Sequence, residues 1–497
     1  MRILFYSTNS NFFDGTNTNL ETRPFLAEQW ENLAEKHPEH KFLIATELPG
    51  FFLIDVAGNG IAKKAENVEY FLIQDDEETR IAEFLSSLKP DIAVAATFYV
   101  PPFDWLGVKD AIVAEKLREK GTRTICHPLE AELTCFDKWE THQFFETLAE
   151  MDKTYHLPKI NFARAVHFDH ELFINGGNHR EIKSNVYKTA FFEQLKKLRY
   201  PAVIKDTTGL SSYGTDVVQS FDEAKNIILS KKTTSSRIIE EMIPGGQFGL
   251  EAVRYEGANS SSVLVFPPFK FSVNKWGITS PKQSVKVGPA LDEEKYALKD
   301  LRLTITAICE KLKLNGSANF DLVFNESEKK WYVLEINSRL SGMTTTYVAS
   351  LGKSVPEMLF DIVRNAEETA IERMHLVAAA KQSYQNNNEI APTTARNEEK
   401  SSNSKDKITF KPTMNIKFPL LTTEKIEKLY SFPFVKFVNQ QENLGARQLR
   451  EKGYAEVIFT GKTFDELRQN LETLKHEFKE DMEEIFFHNA LKLLESL

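Results

Sequence analysis

The stretch Leu334–Gly342, LEINSRLSG, sets an acid, an amide and a guanidinium two residues apart from one another. It continues KKWYV (329–333), which reads as the start of a strand. Alternate side chains of a strand share a face, so Glu335, Asn337 and Arg339 line one face and Leu334 and Ile336 point to the other. Working outward, ANFDLVF (318–324) reads as a second strand and NESEKK (325–330) as the turn between the two. Antiparallel pairing of these strands brings Asp321 close to Glu335 and Asn337. Two carboxylates and an amide oxygen suit a hard cation; Mg²⁺ commonly takes one or two carboxylates, water and substrate phosphate. Arg339 adds a bidentate donor for phosphate or carboxylate. The competing reading is a solvated, salt-bridged face. Exposed ion pairs contribute only ~0–1 kcal/mol, and strands seldom carry Asn at their centre, so the cation reading is preferred.

The chain has 497 residues, enough for several domains. Hydrophobic residues make up 41% and charged residues 27%, an ordinary globular composition. A net charge of −9 argues against a general nucleic-acid binder, which needs a basic surface. The three cysteines, Cys126, Cys135 and Cys309, form no CxxC and read as buried small hydrophobes. MRILFYSTNSN opens directly on a strand without the apolar run of a signal peptide. No stretch has the length of about 18 apolar residues that a membrane span needs. A cytoplasmic location without membrane or nucleic-acid partners is expected.

Residues 1–127 alternate short apolar strands with amphipathic helical stretches, the pattern of a Rossmann-like parallel sheet. Candidate strands are RILFYS (2–7), KFLIATE (41–47), EYFLI (69–73), DIAVAAT (91–97) and RTICH (123–127). STNSNFFDG replaces a GxGxxG after the first strand, so no dinucleotide site is assigned. Helices dominate 128–200, strands and loops return from 201 to about 345, and a long helix is expected from Ser354 to about Ala380. The segment 381–407 is polar and reads as a linker or loop. A C-terminal α+β lobe follows over 408–497, with YAEVIFTG (454–461) as a strand and Leu467, Leu471, Leu474 and Phe478 at helical spacing.

Other stretches also carry chemistry. YPAVIKDTTGLSSYGTDVV (200–218) reads as a strand ending at Lys205, a loop with Gly209, Ser211, Ser212 and Gly214, and a returning strand. Such a loop can offer backbone N–H groups to a polyphosphate while the lysine supplies one positive charge. It reads equally as a plain hairpin loop that needs glycine. RIIEEMIPGGQFGLEAVRYEG (237–257) reads as a hairpin about Pro-Gly-Gly. Glu240 and the backbone near Met242–Ile243 could form the edge that holds an adenine, or Glu240 and Glu241 could close a solvated strand end. SPKQSVKVGP (280–289) holds Lys282 and Lys286 in a loop that clamps a phosphate or carboxylate, or is plain solvated loop. His167 and His170 of HFDH are three apart with no third ligand in sequence, and are expected at the surface rather than on a metal.

Taken in order, FDK at Lys138, AVIK at Lys205 with its Gly/Ser loop, IIEEMIPGGQFGLE, NFD and LEINSRLSG resemble the ATP-grasp superfamily. The resemblance covers roughly 126–375. It implies an α/β chain, α+β in its ATP-binding part: an ATP-grasp domain over 128–380 with a small ATP-binding lobe about 200–257, between the N-terminal Rossmann-like domain and the C-terminal lobe. Carried over residue by residue, it implies Lys138 and Lys205 on ATP phosphates, with the loop Gly209, Ser211, Ser212 and Gly214 above them. Glu240 and the backbone of Glu241 and Ile243 would hold adenine. Asp321, Glu335 and Asn337 would bind two Mg²⁺, with Mn²⁺ able to substitute. Arg339 would face the reacting phosphoryl group, and Lys282 is carried as a second catalytic candidate. Gln247 stands where the family often has an acid for ribose.

The implied activity is an ATP-dependent carboxylate–amine ligase that works through an acylphosphate, in layout similar to the L-amino-acid (dipeptide) ligases. Its partners would be small carboxylates and amines, such as amino acids or short peptides, and it would form a homodimer. Arg254, the 270–289 loop and the segment after Arg339 are expected around the acceptor. The alternatives are another acceptor, such as a larger peptide or bicarbonate, and a nucleotide sensor without chemistry.

Overall fold

Ile3, Leu4, Phe5 and Tyr6 of β1 (Arg2–Ser7) are all buried, although they point alternately to opposite faces. A strand apolar on both sides needs cover on both sides, which is the environment of a parallel sheet. The computed structural model describes residues 1–8, 18–47, 65–97, 106–155, 160–175, 186–208, 215–231, 233–256, 261–274, 277–279, 285–367, 409–443 and 453–497. In it β1 sits at the centre of a parallel sheet with β3 (Lys41–Thr46), β4 (Val68–Leu72), β5 (Ile92–Ala95) and β6 (Arg123–Ile125), in the order β4-β3-β1-β5-β6. β2 (Thr18–Arg23) leaves this unit and joins the far edge of another sheet.

A second, smaller sheet is built from β7 (Ala165–Phe168), β8 (Ala202–Asp206), β9 (Asp216–Val218) and β10 (Arg237–Glu241), in the order β7-β10-β8-β9. The small lobe thus draws on Ala165–Glu241 rather than on 200–257. The lysine strand and its partner pair as expected, β8 with β9 antiparallel. Its helix Phe221–Ile228 is capped by Ser220, which accepts from the Glu223 amide, while Glu223 accepts from the amide of Gln219, one residue before the cap.

The third sheet contains β11 (Gly246–Glu256), β12 (Ser261–Val265), β13 (Phe269–Phe271), β14 (Lys286–Gly288), β15 (Gly316–Asn325), β16 (Lys330–Asn337), β17 (Thr413–Phe418), β18 (Val435–Asn443) and β19 (Gly453–Thr460). Its order is β16-β15-β11-β13-β14-β17-β19-β18-β2, with β12 on β11 beside this path. The C-terminal strands therefore extend the same sheet, through β14 against β17, instead of forming a sheet of their own. Trp331 pins the β15–β16 hairpin. Its ring lies 5.1 Å from Phe248 and 4.8 Å from Phe324, and its indole donates to the Tyr296 carbonyl at 2.6 Å. Truncating such a buried aromatic typically costs about 3–5 kcal/mol.

Several expectations are corrected. The run 237–257 is not a hairpin: β10 pairs in the small sheet and β11 in the large one. The Pro-Gly-Gly segment is the crossing between the two sheets. Gly245 has φ +149 there, and a Cβ would stand 2.2 Å from the Phe324 carbonyl oxygen, so the crossing requires glycine. His167 is half-buried and stacks on Trp139, with ring centroids 4.9 Å apart and 9° between planes. Burial lowers its pKa. The helix after Ser354 is described over 355–367; the rest of the expected helix, and the polar stretch 381–407, lie outside the described residues. Cys126, Cys135 and Cys309 are buried free thiols. Among the described residues no helix is long and apolar enough to cross a membrane.

Candidate active site

The small sheet and the β11–β15–β16 part of the large sheet face each other across a cleft of about 970 Å³, open to solvent. Lys138, Lys205, Glu240, Glu241, Ile243, Gln247, Asp321 and Glu335 all line it. Eight of the residues singled out from sequence thus converge on one space from segments spread over about 200 positions.

Local chemistry explains how each arrives. Asp137 caps the helix Lys138–Tyr155, accepting from the amides of Trp139 at 2.7 Å and Glu140 at 3.3 Å. The Lys138 amide donates to the Thr207 carbonyl at 2.7 Å, which anchors the helix start beside the end of β8. Its ammonium lies 3.5 Å from Glu335. Lys205 and Glu240 are diagonal neighbours on one face of the small sheet, since Lys205 stands opposite Ile238. Their side chains form an ion pair at 2.5 Å. Burial works against the Lys205 ammonium, but Glu240, and farther off Glu335 and Asp321, outweigh it and hold the pKa above the ordinary lysine value.

Asp321 and Glu335 are direct partners across β15 and β16, next to a bulge between Asp321 and Leu322. The turn that sets this register is an Asx turn, in which Asn325 Oδ1 accepts from the amides of Ser327 and Glu328. Burial and the facing Glu335 push the Asp321 carboxyl well up, against the pull of Arg339, Lys286 and Lys205. Two carboxylates in this position gain from a cation. Among the described residues no group of three or more His, Cys, Asp and Glu side chains gathers as a metal cluster. The donors that face the cleft are instead the two carboxylates, with Asn337, opposite Asn319, outside its lining. That set fits Mg²⁺, which completes its shell with water and phosphate.

Asn337 and Arg339 do not line the cleft. Asn337 Oδ1 accepts from Arg339 Nη2 at 2.8 Å, and the Arg339 amide turns back onto the Asn337 carbonyl at 2.8 Å. The strand ends at Asn337, and Arg339 lies just beyond it, at the wall of a second cavity. Arg339 still acts on the Asp321 carboxyl electrostatically, so it stands between the two spaces.

The expected adenine edge is only partly available. The Glu241 amide donates to the Arg164 carbonyl and the Met242 amide to the Pro201 carbonyl. The Glu241 side chain is turned to Arg199. Ile243 lines the cleft and its amide takes no partner among the described residues. Gln247 is committed elsewhere: it donates to the Gly277 carbonyl at 2.7 Å and accepts from the Thr279 amide at 3.2 Å. It ties down the loop over the cleft. Arg254, expected near an acceptor, is buried in a structural role, donating to Glu310 at 3.1 Å and to the Leu314 carbonyl. Gly209, Ser211, Ser212, Gly214 and Lys282 lie outside the described residues.

Sequence reasoning gave too little weight to Lys286. It is buried, donates to the Gly342 carbonyl at 3.0 Å, and sits within reach of Asp321, Glu251 and Glu456. Burial lowers its pKa against the pull of these acids. Lys286 was expected in a loop with Lys282, but the structure places it on β14 beside the buried Val287.

Residues 179–343 match the ATP-grasp domain family. A carbamoyl-phosphate synthase of Methanobrevibacter smithii is 26% identical over 163 residues, 32% of this chain and 42% of that protein. A D-alanine–D-alanine ligase of Prochlorococcus marinus is 26% identical over 200 residues, 39% of this chain and 52% of that protein. The match thus spans about half the length of these curated relatives. The structure of an L-amino acid ligase from Bacillus licheniformis superposes with a TM-score of 0.57 at 16% identity, covering 96% of this chain and 97% of that one. This is a likeness of fold.

Proposed function

This chain carries an ATP-grasp domain and has the fold of that superfamily, and from that premise we propose that it is an ATP-dependent carboxylate–amine ligase. It joins a carboxylate to an amine, of amino-acid or small-peptide size, through an acylphosphate, with release of ADP and phosphate. The observation that carries this reading is the meeting of Lys138, Lys205, Asp321 and Glu335 around one cleft between two sheets.

The difficulty of the reaction is charge. An anionic carboxylate must approach an anionic γ-phosphate, and negative charge then spreads over the transferring oxygens. Lys138 and Lys205 hold the phosphates; Lys205 exchanges Glu240 for phosphate oxygen, which releases Glu240 toward the base. The Ile243 amide takes the other side of the adenine. Asp321 and Glu335 would hold Mg²⁺, which supplies neutralisation of the phosphate charge when bound, while the Asn337 oxygen stays with Arg339. Arg339, kept by Asn337 at the end of β16, faces the phosphoryl group from the far side. Fixed positive groups in a site shielded from water act more strongly than the same groups in bulk.

The test is ADP release by the intact chain with MgATP and pairs drawn from the twenty amino acids. Turnover that needs both a carboxylate and an amine supports the ligase. Turnover on bicarbonate alone would transfer the assignment to a carboxylating enzyme, a reading favoured by the match to a carbamoyl-phosphate synthase. Nucleotide binding without turnover on any acceptor would make the chain a sensor. We further propose a cytoplasmic homodimer, which light scattering checks directly.

A further inference from the structure

Lys286, Asn415, Lys417 and Glu456 lie on one face of the large sheet, where β14, β17 and β19 run side by side. Lys286 stands opposite Asn415 and Lys417 opposite Glu456, and alternate residues of β17 share a face. All four side chains are buried. The helix Thr344–Leu351 packs on this face, and its Thr346 hydroxyl accepts from Asn415 Nδ2 at 2.8 Å.

Two buried ammonium groups here compete for one carboxylate. Lys417 holds it: its ammonium pairs with Glu456 at 2.6 Å, and Asn415 Nδ2 donates to the same carboxylate. Burial brings Lys417 down to about 8, against the pull of Glu456 and with the push of Lys286. Burial lowers the Lys286 pKa as well; of the acids that oppose this, Glu456 pulls hardest, ahead of Asp321 and Glu251. Yet the Lys286 ammonium donates to the Gly342 carbonyl at 3.0 Å, three residues past Arg339. Glu251 braces the same segment, accepting from the hydroxyls of Ser341 at 3.1 Å and Thr344 at 2.5 Å. Buried ion pairs add little stability over an apolar pair of similar volume, so stability alone does not account for the pairing of Lys417 with Glu456.

We propose that Lys417 and Glu456 are positioning residues for the phosphoryl end of the cleft: Lys417 occupies Glu456 and so leaves Lys286 on the Gly342 carbonyl, where it holds the segment that carries Arg339. The C-terminal strands are then part of the working site. The effect on turnover rests on the ligase reading above; the place of the Lys286 ammonium does not.

The experiment compares the full wild-type chain with Lys417→Met, Glu456→Gln and the double variant, by crystal structures with MgADP and by pH–rate profiles on the amino-acid pair that releases most ADP. In Lys417→Met the Lys286 ammonium should leave Gly342 for Glu456. Its kcat should fall about tenfold or more while KM for ATP stays within about twofold. The groups facing Lys286 are Glu456 of β19, Asp321 of β15, Glu251 of β11 and Lys417 of β17. Lys417→Met removes the cation and frees Glu456, so the alkaline limb should move to higher pH. Glu456→Gln removes the strongest acid, so the limb should move to lower pH. The double variant should return Lys286 to Gly342 and recover most of the lost kcat, which a general loss of packing would not allow. If Lys417→Met does not fold, Glu456→Gln and the double variant, which buries no unpaired carboxylate at this position, carry the test. Lys286 still on Gly342 in Lys417→Met, an alkaline limb unmoved by Glu456→Gln, or a double variant with Lys286 displaced would each overturn the proposal. A wild type that turns over no acceptor would instead overturn the ligase reading, and the crystal structures would still decide where Lys286 goes.

Discussion

The two cavities that meet at Arg339 are opposites in how they store charge. In the nucleotide cleft the charged side chains already have partners: Lys205 with Glu240 and Lys138 with Glu335. In the second cavity burial raises the Glu132 carboxyl instead, and Asn315 Oδ1 and Ser317 Oγ are buried without a partner among the described residues. A site that must take a polyanion and metal ions can keep opposite charges together and exchange partners when the ligand arrives. The second cavity has one cation in its lining, Arg339, and burial still keeps the Glu132 carboxyl raised against it. The difference separates a cleft of paired charges from a pocket whose charge is suppressed by burial, and substitutions should separate them as well.

The largest effect should come from Glu335. Removing one of two facing carboxylates withdraws a proposed metal ligand, whose contribution would be several kcal/mol of charge stabilisation. Glu335→Ala should lower ATP turnover by roughly 10³-fold or more, with circular dichroism unchanged. Its stability in urea should match wild type; a joint loss of turnover and stability would make Glu335 a structural residue and the contrast would collapse.

His127 tests the other side. Its folded pKa, about 4, lies below the ordinary histidine value of 6.5. Between these values the unfolded chain binds a proton that the folded chain refuses. The stabilisation is therefore fully present above pH 6.5 and is lost as the pH falls through 4. A shift of this size corresponds to about 3 kcal/mol. Asp110 and Glu132, whose carboxyls are raised, act in the opposite sense and lose stability as the pH rises. The comparison must therefore be made against His127→Gln. The stability gap between wild type and variant, from urea unfolding, should shrink by about 3 kcal/mol between pH 7 and pH 4. A constant gap would mean the ring is not held neutral. Next in size, Lys205→Ala should lower kcat/KM for ATP by about 10²-fold, and steady-state kinetics with varied ATP would show it. Equal kinetics would mean that Glu240, rather than phosphate, is the lasting partner of Lys205.

The cleft was largely legible in the sequence and the second cavity was not, for a physical reason. Asp321 and Glu335 face each other because one local hairpin sets their register, and a hairpin is written in adjacent residues. Lys138 and Lys205 sit at a helix start and a strand end, where caps and alternation mark them. Ser317 meets His127 across 190 positions, and Ser338 meets Glu132 across 206, through a docking of domains that no local pattern records. The same limit explains the false hairpin at 237–257. Periodicity finds two strands, yet whether they pair with each other or part into two sheets depends on Gly245 passing the Phe324 carbonyl. It also explains why the C-terminal strands looked like a separate lobe: the edge they extend, β14, lies over 120 residues earlier.

Gln247 gives the smallest effect and the finest distinction. It was singled out as a residue for ribose, and it lines the cleft, but its amide is held at both ends by the loop Gly277–Thr279. If it acts only by holding that loop, Gln247→Ala should free two backbone groups to water and leave the ribose untouched. Each such hydrogen bond contributes about 0.5–1.5 kcal/mol, so ATP affinity should weaken by about threefold to tenfold. The loss should be equal for ATP and 2′-deoxy-ATP, because a tether does not sense the sugar hydroxyl. If Gln247 instead bonds the ribose in the bound state, the variant should bind the two nucleotides alike while wild type prefers ATP. Nucleotide titrations of both proteins with both ligands decide between tether and contact, and so decide whether every partner in the cleft is exchanged on binding or some are kept.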